Sequence, residues 1–121
     1  MYEMKLKDEF YNYILNGTKK IEIRLFDEKR SQIKLNDKIK FIKEENPSES
    51  FIVNVTGLLR YTNFDEMFED FDIKDLACET YTKEKLKSRL EEFYTKEKQE
   101  TYGVLGIKIK KNYQFLVILF L

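Results

Sequence analysis

A chain of 121 residues, 42% hydrophobic and 36% charged, is long enough for one domain with a buried core and too apolar to stay disordered. Histidine is absent, which removes the commonest metal ligand and the usual base at neutral pH, and a single cysteine, Cys78, excludes an internal disulfide. Basic and acidic side chains balance at 22 each, so no bulk electrostatic pull on nucleic acid is indicated. With one cysteine and no signal peptide at its start, the chain is expected to be cytoplasmic.

The spacing of Phe10, Tyr13 and Ile14 predicts an amphipathic helix over Lys7 to Asn16, stopped by Asn16-Gly17. Strands are predicted over Ile21 to Leu25, Asp37 to Lys43 and Phe51 to Arg60. The turn Asn46 to Ser50, holding the only proline, Pro47, makes a hairpin of the last two. Asn63 to Phe71 reads as a helix: Asn63 caps it, Glu66 takes the capping-box position, and Phe64, Met67, Phe68 and Phe71 form its core stripe. Thr82 to Phe93 is a second helix, capped by Thr82, with Leu86, Leu90 and Phe93 as its buried stripe. Thr95 to Glu100 adds a further turn before a strand over Tyr102 to Ile109. Phe115 to Leu121 is continuously apolar but far shorter than the ~20 residues that span a bilayer, so a final buried strand is expected and no membrane partner. Strands around a hairpin, with helices inserted before the last strand, predict an α+β fold built on a small mixed barrel.

Charge is unevenly placed. Asp65 to Asp75 carries six acids against Lys74 alone, and Lys34 to Lys43 carries four lysines against Asp37. Each reads most simply as a solvated face, and the acidic run matches no metal-binding spacing. The acidic helix also leaves open a role as a protein-interaction module.

The stretch Gly17 to Leu25 is denser in chemistry. Alternation buries Ile21, Ile23 and Leu25 and sends Lys20, Glu22 and Arg24 out by the opposite face. That face is either solvated surface or the wall of a cleft. Arginine donates a planar fork suited to a phosphate or a base edge, and a neighbouring glutamate either holds the fork or accepts from a base amino group. The plainer alternative is that Glu22 and Arg24 pair with each other or with Lys38 and Lys40. Tyr61, Tyr81, Tyr94 and Tyr102 are of the type that stacks on exposed bases, and equally of the type that fills a core or rim.

Gly17, Lys19, Glu22 and Arg24 fall in the order G-x-K-x-x-E-x-R, which resembles the signature of the ASCH domain, a member of the PUA-like superfamily. Met4 to Leu6 and Phe10 to Asn16 are similar to the family's first strand and helix. Asp27 to Ile33 and Asn36 to Phe41 are similar to its next segments, with Asn36 where glycine is usual, and Tyr102 to Ile107 to the closing strand of small bacterial single-domain members. The resemblance implies an ASCH domain over residues 1–110, with 111–121 as an apolar extension forming an added strand. It implies a PUA-like mixed β-barrel of about five to six strands, with an N-terminal helix and two to three helices before the last family strand.

It also implies a cleft beside the barrel that binds single-stranded RNA or a modified nucleoside, with no DNA preference, through Lys19, Glu22 and Arg24. Alternation adds Lys20, and Tyr81 and Tyr102 are the stacking candidates. Lys19 itself falls on the Ile21 and Ile23 side of an ideal strand, so it reaches the cleft only if Gly17-Thr18 is a turn and the strand starts after it. Some bacterial members of the family are amidohydrolases acting on acetylcytidine through a lysine, a threonine and a distant glutamate. The lysine matches Lys19 and the glutamate loosely Glu79, but Glu22 stands at the threonine position. Other members are metal-dependent ribonucleases. No cofactor is expected for a binding module, and Mg²⁺ or Mn²⁺ for a ribonuclease.

Overall fold

A computed structural model describes residues 1–112 of the chain, and the strand expected over Phe115 to Leu121 lies outside them. Residues 2–6 form β1 (Tyr2–Leu6), whose Met4 and Leu6 are buried. Helix α1 (Asp8–Leu15) follows, and Gly17 ends its turn with φ +88°, a conformation that costs an L side chain but not glycine. Strand β2 (Ile21–Leu25) starts two residues after Lys19. A single 3₁₀ turn at Arg30–Gln32 leads to β3 (Lys38–Lys43) and β4 (Ser50–Tyr61), the predicted hairpin. Asn36 takes φ +73°, so the side chain that replaces the expected glycine is one of the few that tolerate the left-handed region.

Four helical segments precede the last strand, one more than the two to three expected: α2 (Phe64–Asp70), the single turn α3 (Ile73–Leu76), α4 (Lys83–Glu91) and α5 (Lys96–Tyr102). The short α3 has too few residues for a periodic signal. Asn63, Thr82 and Thr95 each accept a hydrogen bond from the backbone N–H three residues on, as N-caps do. Glu66 reaches back as the capping box requires, but one residue further, to the N–H and hydroxyl of Thr62. Strand β5 (Val104–Lys111) closes the order.

The five strands make one curled, half-barrel sheet in the order β1-β3-β4-β5-β2, with β1 parallel to β3 and every other pair antiparallel. This is the PUA-like α+β architecture. A bulge between Val55 and Gly57 lets β4 turn with the curl. One core fills the concave side: Met4, Leu6, Tyr11, Ile14, Ile39, Phe41, Val53, Leu105 and Ile107. The other joins the convex side of β2 to the helices through Ile21, Ile23, Phe64, Met67, Leu76 and Leu86. Helix α1 serves both, with Tyr11 and Ile14 in the first and Phe10 and Tyr13 against the second. The predicted stripe of Phe10, Tyr13 and Ile14 therefore describes two faces, not one.

Candidate functional site

Among the described residues the sheet is not closed: β1 and β2 are its two edges. Register sets Glu22 opposite Ile107 and Arg24 opposite Leu105, so both charged side chains share the concave face with those core residues. A carboxylate and a guanidinium inside a barrel are tolerable only if paired. Glu22 Oε2 accepts from Arg24 Nε at 3.0 Å and lies 3.0 Å from Arg24 Nη2, and its Oε1 lies 3.5 Å from Lys19 Nζ. Arg24 Nη2 also donates to the Lys5 carbonyl at 3.0 Å, which bridges the unpaired seam between β2 and β1.

Lys19 is the most enclosed member, at 3% exposure. Its Nζ donates to the carbonyls of Ile21 at 2.5 Å and Leu76 at 2.6 Å, and the ring of Phe10 lies 5.6 Å away. Residues 18–20 are irregular backbone, with Thr18 and Lys19 N–H both bonded to the Tyr13 carbonyl. This frees Lys19 from strand alternation and lets it turn toward Glu22. Burial holds the Lys19 pKa below the ordinary lysine value, against the opposing pull of the Glu22 carboxylate. Two accepting carbonyls and a carboxylate 3.5 Å away nevertheless make surroundings suited to an ammonium. For Arg24, burial opposes the charge, but the Glu22 carboxylate and the Tyr94 side chain outweigh it and raise the pKa.

This row forms the floor of a cleft of about 380 Å³ at the seam. Lys5, Leu6 and Lys7 at the end of β1 and Phe10 of α1 make one wall, and Leu86, Arg89 and Leu90 of α4, with Phe93 and Tyr94 after it, make the other. Arg89 Nη2 is held by Glu9 Oε1 at 2.7 Å, and Lys7 Nζ by Glu44 Oε1 at 3.0 Å.

The sequence candidates separate. Lys19, Glu22 and Arg24 come together on the floor of the cleft, and Glu22 and Arg24 also pair with each other, so the two readings of this face are not exclusive. Lys20 does not join them: it is exposed, donates to the Gly17 carbonyl at 2.9 Å, and lines a separate depression with Phe71 and Lys108, because regular alternation begins only at Ile21. Glu79 is exposed on the turn after Cys78 and does not line the cleft. Tyr81 is buried, its hydroxyl donating to Glu9 at 2.7 Å and its ring packed near Phe10 and Tyr13, so it is a core aromatic, not a stacking surface. Tyr102 ends α5 beside Asp27, Glu28 and Lys29, away from the cleft. Phe93, expected in a buried stripe, is 46% exposed at the cleft mouth. Helix α4 ends at Glu91, so the residue falls beyond the helical period that carried the expectation.

Tyr94, one of the four tyrosines suited to stacking, does line the cleft, as does Phe10 of the predicted helix stripe, whereas Arg89 and Lys7 belong to no sequence motif for the site. Arg89 is three residues from Leu86 on the inward stripe of α4, a spacing that would have marked it as facing the same side. Among the described residues, no three His, Cys, Asp or Glu side chains lie close enough to hold a metal ion, and no helix is long and apolar enough to cross a membrane.

A half-barrel open at one seam, with buried charges on the concave floor of that opening, defines a PUA-like fold with a cleft at the seam. Residues 4–112 match the ASCH domain, and the chain belongs to that family. The fold is similar to the crystal structure of the hypothetical protein PH0355, with TM-score 0.79 and 37% identity over 92% of this chain and 98% of that one. It is also similar to the solution structure of protein PF0455 from Pyrococcus furiosus, with TM-score 0.70 and 34% identity over 91% and 96%. A mutant of ZmASCH from Zymomonas mobilis shares the fold at TM-score 0.64 and 10% identity, over 89% of this chain and 66% of that one. No curated protein matches.

Proposed function

We propose that this ASCH domain is a binding module for a single base or modified nucleoside, free or within single-stranded RNA, and that the seam cleft is its site. One observation carries the reading: Lys19, Glu22 and Arg24 are held as a fixed polar row on the floor of a cleft of about 380 Å³ whose walls set the apolar and aromatic Phe10, Leu86, Leu90, Phe93 and Tyr94 beside a rim of charged side chains. Concave, largely apolar sites with a few converging polar groups are the usual form of small-ligand pockets. The volume suits one nucleoside and not a run of stacked bases. A binding role is favoured over the hydrolase alternative because Lys19 Nζ already donates to two backbone carbonyls and stands 3.5 Å from the Glu22 carboxylate, surroundings that favour a structural cation over a free nucleophilic amine. Glu79 stands apart from the cleft, which removes the second residue that mechanism would use.

The test is to fill the cleft without breaking its ion pairs. Leu90→Trp adds an indole to the wall while Lys19, Glu22 and Arg24 stay as they are. Labelled single-stranded RNA is titrated by anisotropy and modified nucleosides by calorimetry, with and without Mn²⁺, and the RNA is run on a gel. Intact ligand bound by the wild type and lost in a folded Leu90→Trp variant supports a binding module. Equal binding by both variants removes the cleft as the site, and cleavage that depends on the open cleft makes the protein a hydrolase.

A further inference from the structure

Phe93 is the one large hydrophobic side chain that is both strongly exposed and part of the cleft. Met1, Leu15, Leu35 and Tyr102 are the other exposed ones among the described residues, and none of them lines it. Its position is set by the backbone: the N–H groups of Phe93 and Tyr94 both donate to the Leu90 carbonyl, at 3.1 and 2.8 Å, and the Thr95 cap starts α5 directly afterwards. The ring is thus held on a tight turn between two helices. Phe10, by contrast, is less exposed than Phe93 and packs against the rings of Tyr13 and Tyr81, with Lys19 and Arg89 near it at 5.6 and 6.0 Å.

The ionic lining is lopsided. Lys5, Lys7, Lys19, Arg24 and Arg89 face only Glu22 and Glu44, an excess of three positive charges on a chain whose net charge is zero. Counting Glu9, which holds Arg89 from outside the lining, still leaves an excess of two. Both carboxylates of the lining are already engaged, Glu22 by Lys19 and Arg24 and Glu44 by Lys7. What the cleft has to offer a ligand is donors and positive charge, and an uncharged nucleoside uses the donors but leaves the charge unmatched. Lys7 Nζ lies 5.3 Å from the centre of the Phe93 ring, so a cation stands directly beside the exposed aromatic face. Its ion pair with Glu44 is 40% and 37% exposed and so is weak enough to yield to a phosphate.

Resting on the reading of the cleft as a base-binding site, we propose that its ligand is a nucleotide: Phe93 stacks on the base at the mouth, and Lys7 with Arg89 takes the adjoining phosphate. The phosphate is either that of a free mononucleotide or a phosphodiester of single-stranded RNA.

The chain has no tryptophan, so Phe93→Trp installs a single fluorophore at the proposed stacking surface. Its emission is followed against each of the four common ribonucleosides, their 5′-monophosphates and a short single-stranded RNA of mixed sequence. Saturable quenching is expected, with the nucleosides about tenfold or more weaker than the best phosphate-bearing probe. Monophosphates that saturate as readily as RNA identify a free nucleotide as the source, and RNA alone identifies a phosphodiester. Calorimetry with the same probes on wild type, Phe93→Ala and Lys7→Ala completes the test. Phe93→Ala should weaken binding about tenfold, and Lys7→Ala should also flatten the salt dependence. Wild-type binding that Phe93→Ala leaves unchanged, or nucleosides binding as well as nucleotides, overturns the proposal while leaving the cleft as a base site. Absence of binding by any probe to the wild type overturns both.

Discussion

Arg24 Nη2 donates to the Lys5 carbonyl at 3.0 Å, and this bond joins the two strands that are the edges of the sheet among the described residues. The same guanidinium neutralises Glu22. An arginine that lines the cleft is therefore also part of the seam, and reversing its charge disturbs both. A charge reversal at Arg24 would be expected, from the sequence, to abolish binding and spare the fold. With Glu22 at 8% side-chain exposure beside it, a second carboxylate there should instead unfold the domain.

Arg24→Gln is the milder change. It leaves Glu22 with Lys19 alone and should destabilise the domain by roughly 3 kcal/mol, the scale for breaking a buried pair. Urea unfolding monitored by circular dichroism measures it. A change within about 0.5 kcal/mol would show that the seam bond and the pair are dispensable.

Glu22→Gln leaves the Lys19 and Arg24 cations together without their shared carboxylate and should push the Lys19 pKa further down. Lys19 already binds its proton less tightly when folded than when unfolded, so its contribution to stability rises with pH between its folded value and the ordinary lysine range. In Glu22→Gln that window extends to lower pH, and the destabilisation relative to wild type should shrink as pH rises from neutral toward about 10. Parallel stability curves for the two proteins would show that Glu22 does not hold the Lys19 proton.

Tyr13 and Tyr61 have pKa values raised to about 12, Tyr13 chiefly through its hydrogen bond with Cys78 and Tyr61 through burial and then Asp70. A phenol that keeps its proton more tightly in the folded chain adds stability below the ordinary value near 10 and loses it as pH rises toward 12. Alkaline unfolding should therefore set in across that interval, with a late tyrosinate absorbance step that moves down to the ordinary value in denaturant. Titration of all tyrosines together near 10 in the native protein would contradict it.

Gly103 ends α5 and begins β5 at φ +79°, where a Cβ would stand 3.3 Å from the Tyr61 carbonyl. Its own carbonyl receives the Phe26 N–H at 2.9 Å, so the turn cannot relax without loosening the end of β2. Gly103→Ala should cost about 2 kcal/mol, read from the urea midpoint. An unchanged midpoint would mean that the backbone there adopts a conformation open to L residues.

Much of the architecture was legible because it rests on local signals. Alternation at Ile21, Ile23 and Leu25, caps at Asn63 and Thr82, and the Pro47 turn act within a few residues, and each marks the element found there. The order Gly17, Lys19, Glu22, Arg24 likewise carried the family and the charged row. What the sequence alone could not decide is which other side chains meet that row. Lys20 and Lys19 are neighbours, yet one lies in solvent and the other under Leu76, 57 residues away, because the irregular backbone before β2 decides which way each turns. Tyr81 and Phe93 differ in surroundings for the same kind of reason: Tyr81 packs against Phe10, Tyr13 and Glu9 of α1, far off in sequence, and α4 stops at Glu91, so the turn after it exposes Phe93. Long-range contacts cost chain entropy that only the assembled core offsets, so they leave no periodic trace in the residues that make them.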